Sequence, residues 1–478
     1  MKPVIAILSV AACLFAAGCQ KAAAPQPPSG PAADASAQAA KDAPMSDAEV
    51  ARYAQRVRDE ARHAWNGYRQ YAWGHDDLAP LSKKPHDWYA ETMLFTPVDA
   101  LDTLILLGLD KEAADARELV ATKLSFDKDI TVSHFETTIR VLGGLLSGYQ
   151  LTGDKRLLAL ADDLGTRMLP VFDTKTGLPY PQVNLRTGKA SGTESNPAEA
   201  GTLLLEYGTL ARLTGKQAYY DKAKRALVAV YERRDPNTGL VGEVIDIRDG
   251  KWTSTASHVG GRIDSYYEYL WKCWKLFDDQ DCLDMWKASV GPMHKYLADE
   301  VDGALWYGHA DMRSGERTKP QYGALDAFLP GLLAYAGDIP RAARLQDSGF
   351  RMWNLHGIEP EALDYRAMKV TAPGYPLRPE IVESAWYLHR LDGDPRWRRQ
   401  GAKMFDDFVR HTRTDAGFAA LEDVTTKEKA DRMESFVLAE TFKYYWLLFA
   451  PVQGVDLETS VLNTEAHPLK RVPAPAAK

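Results

Sequence analysis

The amino-acid sequence predicts an all-α fold: a closed (α/α) toroid of six or seven helical hairpins, with short β segments in the loops. Three patterns lead there. Helix-period apolar segments recur in pairs, each pair broken by a tight turn such as Thr152-Gly153-Asp154, Thr214-Gly215-Lys216, Asp278-Asp279-Gln280, Gly337-Asp338 or Gly393-Asp394, spaced 56 to 63 residues apart. The first helix of a pair is apolar on nearly every side, as in Val141-Leu142-Gly143-Gly144-Leu145-Leu146, which marks an inner layer; the second is amphipathic, as in Arg156-Leu157-Leu158-Ala159-Leu160-Ala161. Finally, an acid stands near the start of each inner helix: Glu136, Glu199, Asp264, Asp326, Glu380 and Glu434, at intervals of 54 to 65 residues. Hairpins that cannot bury their apolar stripes alone either stack openly or close into a ring, and no polar capping repeat marks either end, which favours closure.

In chain order, Met1-Lys2 precedes an apolar run from Val4 to Ala17 that is too short to span a bilayer and reads as a secretory signal. Its end, Ala16-Ala17-Gly18-Cys19, resembles a bacterial lipobox. Lipidation of Cys19 would attach the mature chain to a membrane; a plainly cleaved signal is the alternative. Gln20 after the cysteine suits an outer-membrane destination, so the expected location is the periplasm or outer membrane of a bacterium. Residues 20–45, rich in Ala, Pro, Ser and Gln, form a flexible tether. Residues 46–470 are expected to form one helical domain, followed by a disordered tail, 471–478, and to act as a monomer.

With 45% hydrophobic and 26% charged residues and a net charge of −7, the chain has the composition of an ordinary globular protein and lacks the basic surface of a nucleic-acid binder. Beyond the leader only Cys273 and Cys282 remain, nine residues apart across a helix–helix turn. Their spacing permits a disulfide in an oxidising compartment or two packed thiols, and lacks the ligand context of a zinc site.

An acid in a first helical turn complements the helix dipole and needs no function. Six in register are different, because in a toroid the starts of all inner helices share one rim. The six carboxylates then converge on one cavity mouth. With 12 Trp and 22 Tyr in the chain, such a cavity suits a neutral polyhydroxylated ligand and a hard cation.

The stretch Phe135-Glu136-Thr137-Thr138-Ile139-Arg140-Val141-Leu142-Gly143-Gly144 resembles the signature of glycoside hydrolase family 47. So do Ala64-Trp65-Asn66-Gly67-Tyr68, Asp99-Ala100-Leu101-Asp102-Thr103, Asp264-Ser265-Tyr266-Tyr267-Glu268, Arg378-Pro379-Glu380-Ile381-Val382-Glu383, Glu434-Ser435-Phe436 and Asn463-Thr464-Glu465-Ala466-His467, in that order along most of the chain. The resemblance implies a seven-hairpin (α/α)7 toroid, a bound Ca2+ and an inverting, class I α-1,2-mannosidase acting on mannose-containing oligosaccharides. By motif, Glu136 is the general acid, Glu380 the general base and Asp264 a third catalytic carboxylate. The hydroxyl and carbonyl of Thr464 would hold calcium directly, with Glu383, Glu440 and Glu465 acting through water. Arg140, Phe328, Glu361, Arg378, Glu434 and Phe436 are the expected substrate-binding residues. One departure is Ala324, which stands where the family commonly has histidine; Asp326 is the residue positioned to compensate. The alternatives are a noncatalytic mannose-glycan-binding relative, which intact Glu136, Asp264 and Glu380 argue against, and another toroid enzyme such as an epimerase or lyase. The latter would use His or Tyr, and none of the 11 His occupies a ring position.

Overall fold

The computed structural model describes residues 44–450 and 454–473; the leader with Cys19, the tether up to residue 43 and residues 474–478 lie outside them. Among the described residues fourteen helices form seven inner–outer pairs. The outer helix α1 (Asp47–Tyr71) begins at Ser46, whose hydroxyl accepts from the Glu49 amide while Glu49 reaches back to the Ser46 amide, a reciprocal cap. The next pair is α2 (Phe95–Leu106, inner) and α3 (Asp110–Lys123, outer). Inner α4 starts as a single α turn, His134–Glu136, passes through a π-helical stretch, Thr137–Leu142, and continues as Gly143–Thr152. Its outer partner is α5 (Lys155–Met168).

Inner α6 is broken into Pro197–Gly201 and Leu204–Thr214 and is backed by α7 (Ala218–Tyr231). Then follow α8 (Asp264–Phe277) with α9 (Gln280–Tyr296), α10 (Leu329–Tyr335) with α11 (Ile339–His356), and α12 (Glu380–Asp392) with α13 (Arg396–Thr412). Inner α14, a π turn Val437–Thr441 followed by Phe442–Phe449, packs against α1, so the first and last helices form the seventh hairpin and close the ring.

Burial separates the layers as the apolar pattern predicts. In α2 every residue from Phe95 to Leu104 is buried, whereas α5 buries only Leu157, Ala161, Leu164, Gly165 and Met168, one stripe of an amphipathic helix. Inner helices end in tight left-handed caps, Gly153 at φ 73° and Gly393 at φ 73°, a conformation glycine adopts without strain. These short turns lie at one rim. The longer loops, with small antiparallel sheets of two or three strands, lie at the other, where the inner helices begin. Cys273 on α8 and Cys282 on α9 form a disulfide with Cα atoms 6.0 Å apart, which decides between the two expectations.

After α14 the chain makes a hairpin, Ser460–Leu462 against Pro468–Lys470, in register Val461 to Leu469. It packs on the later turns of α4 and α6 and on α8, plugging the far end of the ring and presenting residues 463–467 to its interior. Arg471, expected in the tail, is anchored: its amide donates to the Thr459 carbonyl at 2.8 Å and its guanidinium pairs with Asp278.

Ring closure depends on close approach at Gly67 of α1, where a Cβ would fall on the main-chain carbonyl of Ala416. Gly67→Ala is therefore expected to destabilise by about 1–3 kcal/mol, despite the roughly 1 kcal/mol that alanine gains in helix propensity. Gly349→Ala in α11, where a Cβ would make an ordinary van der Waals contact with Ile381 at 3.7 Å, is expected to stabilise by about 0.5–1 kcal/mol. Urea unfolding midpoints of the two variants should move in opposite directions.

Candidate active site

The interior of the ring holds a cavity of 360 Å³. Eight carboxylates line it (Glu136, Glu199, Asp264, Glu268, Glu380, Glu383, Glu440 and Glu465), against the three guanidinium groups of Arg140, Arg262 and Arg378. Phe328, Phe436 and Thr464 complete the features of its wall that the sequence singles out.

Each group is set by its helix start. Ser133 caps α4, its hydroxyl accepting from the Glu136 amide at 3.3 Å, which places Glu136 at the mouth. One turn on, Arg140 Nε donates to Glu136 at 2.9 Å, and another of its nitrogens donates to Glu465 on the far hairpin. The π-helical stretch that contains Arg140 widens the helix at this point, a deviation that recurs in α14 directly after Phe436 and includes Glu440. Arg262 and Leu377, at φ 75° and 72°, hold the left-handed conformation just before Asp264 and Glu380. Strained, non-glycine backbone immediately ahead of two cavity acids fits chain bent to aim them.

Two guanidinium groups lie beside the Phe436 ring, Arg140 at 5.8 Å and Arg378 at 5.7 Å from its centroid. Arg378 donates Nε to Glu361 at 3.1 Å, so Glu361 stands behind the cavity wall as its partner rather than in the lining. Thr464 and Glu465 sit on a turn built by Asn463. Its side-chain oxygen accepts from the amides of Glu465 (3.0 Å) and His467 (2.7 Å), and its amide nitrogen donates to buried Glu206 at 2.7 Å.

Burial dominates the electrostatics. It pushes Asp264 and Glu380 up to about 7 and Glu383 and Glu465 up to about 8, and raises Glu440 well above the usual carboxylate range, with Arg140 and Lys272 pulling some of them back. One oxygen of Glu380 has no hydrogen-bond partner among the described residues. Crowded, under-satisfied carboxylates that share the cavity lining with Thr464 offer hard oxygen donors.

Two further expected residues lie elsewhere. Asp326 turns away from the cavity, accepting from the Gly323 amide at 2.9 Å and packing against Gly260, so it does not take over a role lost at Ala324, itself fully buried. Glu434 lines a separate groove with Trp88 and His86 and pairs with Arg432 at 3.6 Å. Sequence reasoning gave no role to Glu268, which pairs with buried Lys272, although Asp264, Glu268 and Lys272 follow one another at four-residue steps on one helix face. It also passed over the fully buried cluster beneath the Thr464 turn. There Lys443 Nζ lies 2.8 Å from Asp102, and the His467 ring nitrogens lie 2.7 Å from Asp102 and 3.3 Å from Asp99.

A closed double ring of helices around a carboxylate-lined cavity defines an α/α toroid. The family model for glycosyl hydrolase family 47 matches residues 60–471, and the chain belongs to that family; it is a glycoside hydrolase with an (α/α)7 fold. The chain is 38% identical over 447 residues to alpha-mannosidase I MNS4 of Arabidopsis thaliana, covering 88% of this chain and 70% of that protein. It is 36% identical over 457 residues to the mannosyl-oligosaccharide 1,2-alpha-mannosidase MNS1 of the same plant, covering 90% and 81%. Among solved structures, an alpha-1,2-mannosidase from Trichoderma reesei superimposes with a TM-score of 0.81 at 28% identity, over 87% of this chain and 98% of that one.

The raised acids hold protons in the folded state that the unfolded chain has already released, and His467, raised to about 9 chiefly by Asp102 against the cost of burial, acts the same way. His134, His294 and His309, all lowered by burial, are neutral in both states above about pH 6.5. Between about pH 6.5 and 8.5 the native state therefore binds more protons, and each such group removes up to about 1.4 kcal/mol per pH unit. With divalent ions chelated, thermal unfolding is expected to move to lower temperature across that window, and a calorimetric series would show it.

Proposed function

We propose that this glycoside hydrolase is an exported, calcium-dependent, inverting exo-α-mannosidase that removes terminal α-1,2-linked mannose from mannose-rich glycans. The observation that carries the reading is the meeting of Glu136, Asp264 and Glu380 with Thr464, Glu383, Glu440 and Glu465 in one cavity of sugar size. The mannosidase names of the relatives agree with it.

Inversion needs one carboxyl to protonate the leaving oxygen and one carboxylate to activate water on the opposite face of the sugar. Glu380 is the base. Burial raises it, and the charge of Arg378, two residues away and in the same cavity wall, offsets part of that rise. Glu136 is the acid. Its partner Arg140 also serves Glu465 and lies 3.7 Å from Asp99, so one guanidinium is shared among three acids. Asp264 is the third catalytic carboxylate. Phe436, backed by Arg140 and Arg378, offers an apolar face to the sugar ring.

The oxygen-only donors around Thr464 suit calcium, which takes six to eight oxygens and tolerates carbonyls, hydroxyls and water. Thr464 would hold the ion directly and Glu383, Glu440 and Glu465 through water; when bound, it supplies positive charge that orients sugar hydroxyls. Export follows from the leader, with lipid attachment at Cys19. Among the described residues no helix is long and apolar enough to cross a membrane. Mass spectrometry of the mature chain is expected to find Cys19 as an acylated first residue; an unmodified terminus at another position would remove the anchor.

Release of mannose from α-1,2-mannobiose, followed by NMR with and without chelator, tests the central reading. β-Mannose should appear first, and only with calcium present. Glu136→Gln and Glu380→Gln should each lower kcat by about 10²–10⁴-fold with the fold intact. α-Mannose appearing first would overturn the inverting roles, and undiminished release in chelator would remove calcium.

A further inference from the structure

Two histidines with no part in the chemistry described so far lie stacked beside the approach to Asp264. The loop that leads into α8 carries His258, six residues ahead of Asp264 and buried. The chain then tightens: the Ile263 and Asp264 amides both donate to the Gly260 carbonyl, at 3.1 and 3.0 Å, which keeps the loop close to the start of the helix. Gly260 sits against Asp326, where a Cβ would fall 2.5 Å from the carboxylate. The short strand before the loop, Ala256–Ser257, pairs with His309–Asp311, in register Ser257 to Ala310. This pairing lays the His258 and His309 rings face to face, with centroids 4.3 Å apart and planes 24° from parallel.

Charge on the pair belongs to one ring. Two imidazolium ions at that separation repel, so the pair holds a single proton. Burial holds His309 down at about 3, helped by the charges of His258 and of Lys319 on the neighbouring strand, so His309 is neutral. The acids stand around His258 instead. Glu243 lies 3.7 Å from its Nε2 and is drawn down to about 2, first by that contact, with Arg262 contributing. Its other ring nitrogen, Nδ1, is buried without a hydrogen-bond partner among the described residues, and so is Oδ1 of Asp326. A positive His258 works on both Asp326 and Asp264 against the rise that burial imposes on each.

We propose that His258 is a positioning residue for the catalytic carboxylate Asp264: an imidazolium set among Glu243, Asp326 and Asp264, with neutral His309 packed on its face, it holds negative charge on Asp264. The inference rests on the proposed mannosidase activity for the role of Asp264; the coupling between the two charges does not depend on it.

Full-length enzyme and its His258→Gln and His309→Gln variants are compared for kcat/KM on α-1,2-mannobiose across the acid limb of the pH profile. Removing the imidazolium should move the limb of His258→Gln to higher pH by about half a unit, an approximately threefold loss on the limb that is recovered at alkaline pH. His309→Gln removes a neutral ring and should leave the limb in place. An unmoved limb in His258→Gln, or an equal move in both variants, would overturn the assignment. A second measurement needs neither turnover nor a His258 variant. With histidine-selective labelling, the NMR titration midpoint of His258 should fall by about half a pH unit in Asp264→Asn, because the two charges favour each other reciprocally. An unchanged midpoint removes the coupling even if mannose is released. A lowered midpoint in a protein that releases none retains the coupling and removes only the activity.

Discussion

Everything in the cavity hangs on a charge cluster that never meets water. Asp99 and Asp102 of α2, Lys443 of α14 and His467 of the final hairpin are all fully buried. Lys443 also donates to the Ala466 carbonyl at 2.6 Å, and Ser435 donates to Asp99. The cluster thus ties the first inner helix, the last inner helix and the plug to one another, across more than 300 residues of sequence. Buried ion groups of this kind are a poor source of net stability, but losing one partner costs about 3–5 kcal/mol because the others are stranded. Its value lies in position: the plug can sit in only one register, and that register delivers Glu465 to Arg140 and hence to Glu136.

From this anchor a hydrogen-bonded chain runs to the mouth. Asn463 shapes the turn, Glu465 leaves it to meet Arg140, and Arg140 reaches Glu136 while carrying the rings of Trp88 and Phe436 on its faces. Arg140 is shared by the floor, the cavity wall and the rim. A lysine there would keep the charge and lose the fork that serves two carboxylates while stacking on two rings. The crowding of acids around this chain is a stability cost, since burial disfavours their ionised forms. Bound cation and sugar hydroxyls are the partners that would recover that cost.

Much of this was legible in the sequence. Layering follows from the apolar character of each helix, a count of six or seven hairpins from the Gly/Asp turns, and four of the six ring acids do line the cavity. Less legible were features that arise only on closure. Lys443 and His467 look like an ordinary helix lysine and a loop histidine, because their partners lie hundreds of residues away. The π-helical stretches of α4 and α14 follow from how those helices fit the ring, and no propensity predicts them. The disulfide needed a Cα distance that spacing alone does not supply.

Asp326 and Glu434 explain why register was necessary and still not sufficient. Both occupy the same helix-start position as Glu136 and Glu380, yet the loop before each decides where the carboxylate points. Ahead of Asp264 and Glu380 the backbone turns through a left-handed residue, Arg262 or Leu377. Before Asp326 the chain leaves a strand, Gln321–Gly323, and enters a tight 3-10 turn, so the carboxylate folds back onto the Gly323 amide. Before Glu434 the chain pairs Met433 with Leu78, and the side chain faces the neighbouring groove. Helix starts bring the acids to the rim; the strain and pairing of the preceding loop select which of them enter the cavity.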